Sequence, residues 1–305
     1  MFSLPMLLHQ CQHYTVNMKT IPFYQVDVFS ASPCQPFTGN PVAVIFETEF
    51  DIEELSTERM QQIARWTNLS ETTFVTDVSA SGYAIRIFTP GAELPFAGHP
   101  SLGSAFAVAH QQGLKGASLS LTQRCGVGDI AIEVNTEAAS AQLQLPAAQL
   151  TTITQQSVNE LSLALGCELA DEPKIVDLGP RWLTVPVSAA YVLLAIKPNL
   201  NAIAALSRKL NLTGVNVFGP YDEKGKFEVR SFAPALGVPE DPVCGSGNGA
   251  VAYYLRDHVK AGLAEHRARQ GRAIDRDGQI SITYKGDSIW LGGTCINSVI
   301  GKINV

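Results

Sequence analysis

Three ionisable side chains stand where packing alone gives no reason for them. Glu71 lies in Asn68-Leu69-Ser70-Glu71-Thr72-Thr73-Phe74, where a helix ends and a strand begins, isolated among apolar and hydroxyl neighbours. A carboxyl in a dry pocket has its pKa raised toward the operating pH and can exchange protons. His99 lies in Gly98-His99-Pro100, just ahead of a helix, with Pro100 suited to the first turn. Asp241 lies in Glu240-Asp241-Pro242-Val243-Cys244-Gly245-Ser246-Gly247, which opens a second helix. Singly, each has an ordinary structural explanation: a glutamate closing a strand end, a hydrogen-bonded histidine, an aspartate capping a helix. Three groups of different type facing one cleft point instead to acid/base chemistry.

An internal repeat is what brings them to one cleft. Arg86, Phe88, Pro90 and Pro95 precede Arg230, Phe232, Pro234 and Pro239 by 144 positions, and Phe74 precedes Phe218 by the same interval. After a two-residue slip, His99, Pro100, Gly103 and Ser104 match Asp241, Pro242, Gly245 and Ser246. The 144-residue interval sets Val215 against Glu71, so only one copy carries the carboxylate. Each copy reads as strand, Phe-x-Pro segment, tight turn and a helix that is apolar on most sides. Helix N-termini expose unpaired N–H groups and partial positive charge, a seat for an anion. If the halves pack face to face, both seats converge on the cleft between them, the expected active site.

The chain of 305 residues is long enough for two domains, and 46% apolar with 16% charged residues describes a well-packed globule. A net charge of −6 offers no electrostatic reason for a nucleic-acid partner. Arg267, Arg269, Arg272 and Arg276 form a basic run, but acidic residues interrupt it, and it reads as a solvated loop after a helix. The six cysteines show no C-x-x-C pair and no zinc-type spacing with the six histidines, which fits reduced thiols in a cytoplasmic protein without a metal. The longest apolar runs, such as 191–196, fall far short of the roughly 18 residues of a membrane span. Residues 1–17 make a poor signal peptide, and Met18-Lys19 reads as the natural start, leaving 1–18 as an N-terminal extension.

Alternation and apolar runs predict strands at 23–29, 41–46, 72–78 and 83–88, three more within 117–145, and a helix from Ser56 to about Thr67. The second half is expected to contain helices at 157–165 and 201–210. Its strands are expected near 175–187, 191–196 and 215–218, then at 279–284, 288–291 and 294–305. The first domain is taken as 19–146 and the second as 147–305, with the last strand a candidate to return to the first. Gly245-Ser246-Gly247-Asn248-Gly249 lacks the G-x-G-x-x-G spacing of a dinucleotide loop. Cys244 is a possible thiol base at a helix N-terminus, but its counterpart Leu102 excludes a matched pair of thiols.

Several separated motifs resemble those of the phenazine-biosynthesis isomerase family, the PhzF-like proteins. They are Phe37-Thr38-Gly39-Asn40-Pro41, Ser70-Glu71-Thr72, Pro95-x-x-Gly98-His99-Pro100, Glu240-Asp241-Pro242-Val243, Gly245-Ser246 and Gln270-Gly271-Arg272. The resemblance implies an α+β fold like that of diaminopimelate epimerase: two pseudo-symmetric domains, each a curved mixed sheet or barrel wrapped around a central helix. It also implies a cofactor-independent isomerase of a small carboxylate, similar to trans-2,3-dihydro-3-hydroxyanthranilate isomerase, often dimeric. Glu71 then becomes the proton carrier, supported by His99, Asp241 and Ser246, with Asn40, Gly98, His99, Gly245 and Ser246 around the substrate. Cys244 stands where the phenazine enzyme is expected to have threonine and diaminopimelate epimerase one of its thiols. An epimerase using Glu71 with Cys244, and a non-catalytic small-acid binder, are the alternative readings.

Overall fold

The computed structural model describes residues 19–47 and 55–305; the expectation for residues 1–18 lies outside them. In the first half the strands are β1 (Thr20–Ser30), β2 (Asn40–Phe46), β3 (Glu71–Thr76), β4 (Gly82–Phe88), β5 (Glu93–Leu94), β6 (Leu119–Cys125), β7 (Gly128–Asn135) and β8 (Ser140–Gln144). Helices α1 (Thr57–Thr67) and α2 (Gly98–Gln111) interrupt them. The second half runs β9 (Gln149–Thr152), α3 (Gln155–Leu165), β10 (Lys174–Asp177), β11 (Arg181–Pro186), α4 (Ala190–Ala195), α5 (Leu200–Leu210), β12 (Gly214–Pro220) and β13 (Lys226–Ala233). It ends with β14 (Val238–Asp241), α6 (Gly245–Tyr253), β15 (Glu265–Gln270), β16 (Gly278–Lys285) and β17 (Ser288–Asn304).

Strand pairing follows one scheme twice. β1–β2 is antiparallel, β2–β3 parallel, β3–β4 antiparallel, β4–β6 parallel, and β6–β7 and β7–β8 antiparallel. In the second half β10–β11, β11–β12, β12–β13, β13–β15, β15–β16 and β16–β17 repeat that order of senses. β17 joins the two: residues 290–292 pair with β16 on one side and β8 on the other, and 294–304 pair with β1. The strands of the first half thereby close into a barrel.

α2 fills that barrel and is buried along nearly its whole length. It approaches closely because Gly103 has no side chain; a Cβ there would lie 2.5 Å from Val42 Cγ1. α6, buried just as fully, packs against β10, β11, β12, β16 and β17. α1 covers the outside of β3 and β4 with Met60 and Ile63, and α3 and α5 cover the second half with Leu161, Ile203 and Leu206.

Several sequence expectations fail. Residues 191–196 form no strand; α4 takes their place, because Ala190 and Leu193 are buried at helical spacing while Tyr191 faces solvent. Gly292-Gly293 reads as a break, yet β17 runs through it, and Gly292 is needed there because β8 presses against its backbone. The basic run is no solvated loop. Arg267 and Arg269 lie in β15, Arg269 pairs with Asp277, and Arg272 reaches the buried Glu228. Among the described residues no helix is long and apolar enough to cross a membrane.

Candidate active site

The segment entering β2 is set by one buried acid. Asp27 Oδ2 accepts from Ser30 Oγ (2.7 Å), Thr38 N (3.2 Å) and Gly39 N (3.3 Å), folding 31–39 back on β1. The Thr38 carbonyl accepts from Asp277 N at 2.9 Å, so this loop touches the second half of the chain. Asn40 and Pro41 follow directly and point the start of β2 at the tip of α2.

Glu71 opens β3, and its side chain is 15% exposed; that of His99, in the first turn of α2, is 7% exposed. Glu71 Oε2 and His99 Nε2 are 3.3 Å apart, yet neither atom completes an aligned hydrogen bond. Burial, with the nearby Asp241 charge adding to it, pushes the Glu71 pKa up to about 8. Burial pulls His99 down to about 3, against a hydrogen bond to the Pro41 backbone. The contact is therefore not an ion pair at neutral pH, because both partners are uncharged. Proline has no N–H, so the His99 ring donates to the Pro41 carbonyl. With Nε2 unpartnered, the donor is Nδ1, and a bare Nε2 lone pair is left facing the Glu71 carboxyl.

Asp241 ends β14, in the second half of the chain, near enough for its charge to act on Glu71. Its Oδ1 accepts from Val243 N (3.1 Å) and from Asn40 Nδ2 (3.2 Å), while the same Asn40 nitrogen donates to the Val243 carbonyl (3.0 Å). Two acceptors around one nitrogen fix the Asn40 amide orientation and leave its buried Oδ1 unpartnered. Burial raises Asp241 to about 6, opposed by hydrogen bonds from Val243 and Cys244. The sequence placed Asp241 at the opening of the second helix. In the structure α6 starts four residues later, and its N-cap is Cys244, whose Sγ accepts from Gly247 N at 3.3 Å. Burial, then the Asp241 charge, pushes the Cys244 thiol up. A Cβ added at Gly245 would lie 3.6 Å from the His99 backbone nitrogen, so the two helix tips meet. Gly98, His99, Gly245 and Ser246 lie in the first turns of these two helices, where N–H groups have no intrahelical partner.

Gln270 ties this arrangement together from beneath. Its Oε1 accepts from Cys244 N (3.1 Å) and Asn248 Nδ2 (2.7 Å), and its Nε2 donates to Ser231 Oγ (3.2 Å) and the Asp241 carbonyl (3.0 Å). Gln270→Leu leaves several of these buried groups unpaired at about 1–3 kcal/mol each. Its melting temperature is expected to fall by several degrees in a calorimetric scan, whereas an unchanged value would show that the network can be dispensed with.

The structure brings Glu71, His99, Asp241, Asn40, Gly98, Gly245 and Ser246 to one locus, but it corrects the repeat register by one residue. Val42 stands opposite Glu71, and Trp182 opposite Gly214. Val42 and Trp182 belong to the same interior core. Thr73 and Asn216, two residues further along β3 and β12, contact α2 and α6 respectively. The counterpart of Glu71 is therefore Gly214 and not Val215. Sequence reasoning gave no role to Asp27, Trp182 or Gln270, although Gln270 belonged to a recognised motif. Among the described residues no group of three His, Cys, Asp or Glu side chains is arranged to hold a metal ion. A surface groove of about 420 Å³ beside Glu133, Gln142 and Arg267 includes none of these site residues.

The mixed sheet curled around a buried helix is shared with relatives that are named isomerases, and the chain is an enzyme of that class. Residues 26–296 match the family described as phenazine biosynthesis-like protein, and the chain belongs to that family. It is 36% identical over 236 residues to trans-2,3-dihydro-3-hydroxyanthranilate isomerase of Pseudomonas aeruginosa, covering 76% of this chain and 79% of that one. It is also 36% identical over 296 residues to antisense-enhancing sequence 1 of Schizosaccharomyces pombe, covering 92% and 97%. The crystal structure of a PhzF-family phenazine biosynthesis protein from Bacillus anthracis superposes with a TM-score of 0.79 at 26% identity, over 94% of this chain and 100% of that one. A hydroxyproline epimerase from Agrobacterium vitis shares the fold alone, at a TM-score of 0.62 and 12% identity, over 94% of this chain and 93% of that one.

Proposed function

We propose that the chain is a cofactor-independent isomerase that moves a proton between carbons of a small, unsaturated carboxylate, with Glu71 as the carrier. Two pseudo-symmetric domains of the diaminopimelate epimerase type, dividing near Pro146, form the cleft in this reading. It rests on the buried Glu71 carboxyl, 3.3 Å from the His99 ring and with its pKa raised by burial and by the nearby Asp241 charge, close to where the two helix tips meet. Ionised Glu71 takes a proton from carbon next to the conjugated system and returns it to another carbon. The N–H groups of the two helix tips hold the substrate carboxylate and the negative charge that develops. Such a donor is worth about 3–4 kcal/mol when removed. Asp241, across the cleft, raises the proton affinity of Glu71, and it and Asn40 Oδ1 offer acceptors to a polar substituent.

An epimerase using Cys244 as a second base is disfavoured by the thiol itself. Burial and the Asp241 charge raise its pKa by more than the Gly247 N–H donated to its sulfur lowers it, so it stays protonated and is a poor base. The test is incubation in deuterated water with trans-2,3-dihydro-3-hydroxyanthranilate, the compound named for the Pseudomonas relative, and a panel of other conjugated carboxylates. Followed by NMR, isomerisation with solvent deuterium at carbon is expected. Thermal stabilisation by the same compounds without exchange would favour a non-catalytic binder.

A further inference from the structure

Where the first half of the chain carries Glu71, the second has Gly214, which has a neighbour on either side. A Cβ at Gly214 would lie 2.2 Å from the Phe232 carbonyl oxygen and 2.8 Å from Trp182 Cζ3, so neither the β13 backbone nor the indole leaves room for a side chain. Trp182 stands opposite Gly214 on β11 as Val42 stands opposite Glu71 on β2. Val42 meets α2 at Gly103, and Trp182 meets α6 at Ser246, where the indole Nε1 donates to Ser246 Oγ at 2.9 Å.

We infer that Trp182 is a positioning residue that makes Ser246 a hydrogen-bond donor to the ligand's carboxylate. An indole N–H only donates, whereas a serine hydroxyl has one proton and two lone pairs. With a lone pair taken by Trp182, the hydroxyl is turned so that its proton points away from the indole. The hydroxyl also lies 3.6 Å from Cys244 Sγ, a long and weak contact that an arriving carboxylate displaces. The cleft is thus polarised by its two fixed partners. The Pro41 carbonyl uses the His99 ring proton and leaves a bare acceptor beside Glu71, while the Trp182 indole leaves a donor at α6. A carboxylate is drawn to the α6 end, and the carbon that loses its proton lies toward Glu71. This orientation rests on the reading of the cleft given above, but the tie between Trp182 and Ser246 does not.

Anthranilate serves as a non-reacting carboxylate probe, titrated into protein carrying 15N-labelled tryptophan indoles. Saturable movement of the Trp182 indole resonance is expected. Trp182→Phe and Ser246→Ala are each expected to weaken binding about tenfold, and the double variant no further, because both remove the same interaction. Independent losses that multiply in the double variant would overturn the inference. So would unchanged affinity in Trp182→Phe, or no binding by the wild type. Should Trp182→Phe fail to fold, the Trp182 indole proton in Ser246→Ala decides: an upfield shift with faster solvent exchange is expected, and an unmoved resonance contradicts the hydrogen bond. Glu71→Gln is carried in parallel and is expected to bind anthranilate like the wild type. If the tryptophan–serine cycle holds while Glu71→Gln still turns over substrate, the acid/base reading alone fails.

Discussion

Replacing Glu71 by glutamine is expected to lower turnover by about a thousandfold or more, within the range that a positioned acid/base group contributes, and to leave ligand affinity within a few-fold. Glutamine keeps the size and a hydrogen-bonding terminus but carries no transferable proton at accessible pH. The same variant is expected to be more stable, and the sign follows from linkage. Glu71 has a pKa of about 8 in the folded chain, against 4.5 for an ordinary glutamate. The folded state therefore holds this proton more tightly than the unfolded state. That contribution is complete below about pH 4.5 and is lost as pH rises through 8. Glutamine has no charge to bury, so the melting temperature of Glu71→Gln should exceed that of the wild type by a margin that widens from pH 6 to pH 9. A variant that lost both activity and stability would show that Glu71 is structural.

The pH profile of kcat/KM is the second large effect. If ionised Glu71 takes the proton, kcat/KM should rise about tenfold per pH unit below 8 and level off above it, because this parameter reports the free enzyme. At pH 7 only about one molecule in ten then has the active carboxylate. The Asp241 charge is one cause of the raised value. Asp241→Asn should therefore shift the limb to lower pH, in addition to any loss of rate. A rate that falls as pH rises through 8 would contradict the assignment, since it would require Glu71 to act in its protonated form.

Much of this was legible in the sequence because it is written in backbone requirements. The Phe-x-Pro segments, Gly98-His99-Pro100 and Gly245-Ser246 mark where the chain must turn into a buried helix, and such positions accept few residue types. The first strands follow from alternation at 23–29, an apolar run at 41–46 and β-branched and aromatic content at 72–78 and 83–88, and Ser56 caps α1 as expected, accepting from Arg59 N. The exchange of Val215 for Gly214 as the partner of Glu71 was not legible. A slip of one residue in a strand reverses every side chain, and only the pairing of β11 with β12 reveals it. Gln270 and Trp182 act over separations of 26 and 64 residues from the positions they hold, distances that no local pattern conveys. The short apolar stretch of α4 is ambiguous for a different reason, since six residues cannot separate period 2 from period 3.6.

In the proposed reaction one carboxyl, that of Glu71, carries the proton. Comparing the wild type with Glu71→Gln in deuterated water, and measuring deuterium at the carbons of recovered substrate and product, tests this directly. Label at carbon is expected with the wild type and none above the uncatalysed background with the variant, at equal occupancy of the site by ligand. Equal incorporation by the two proteins would contradict it.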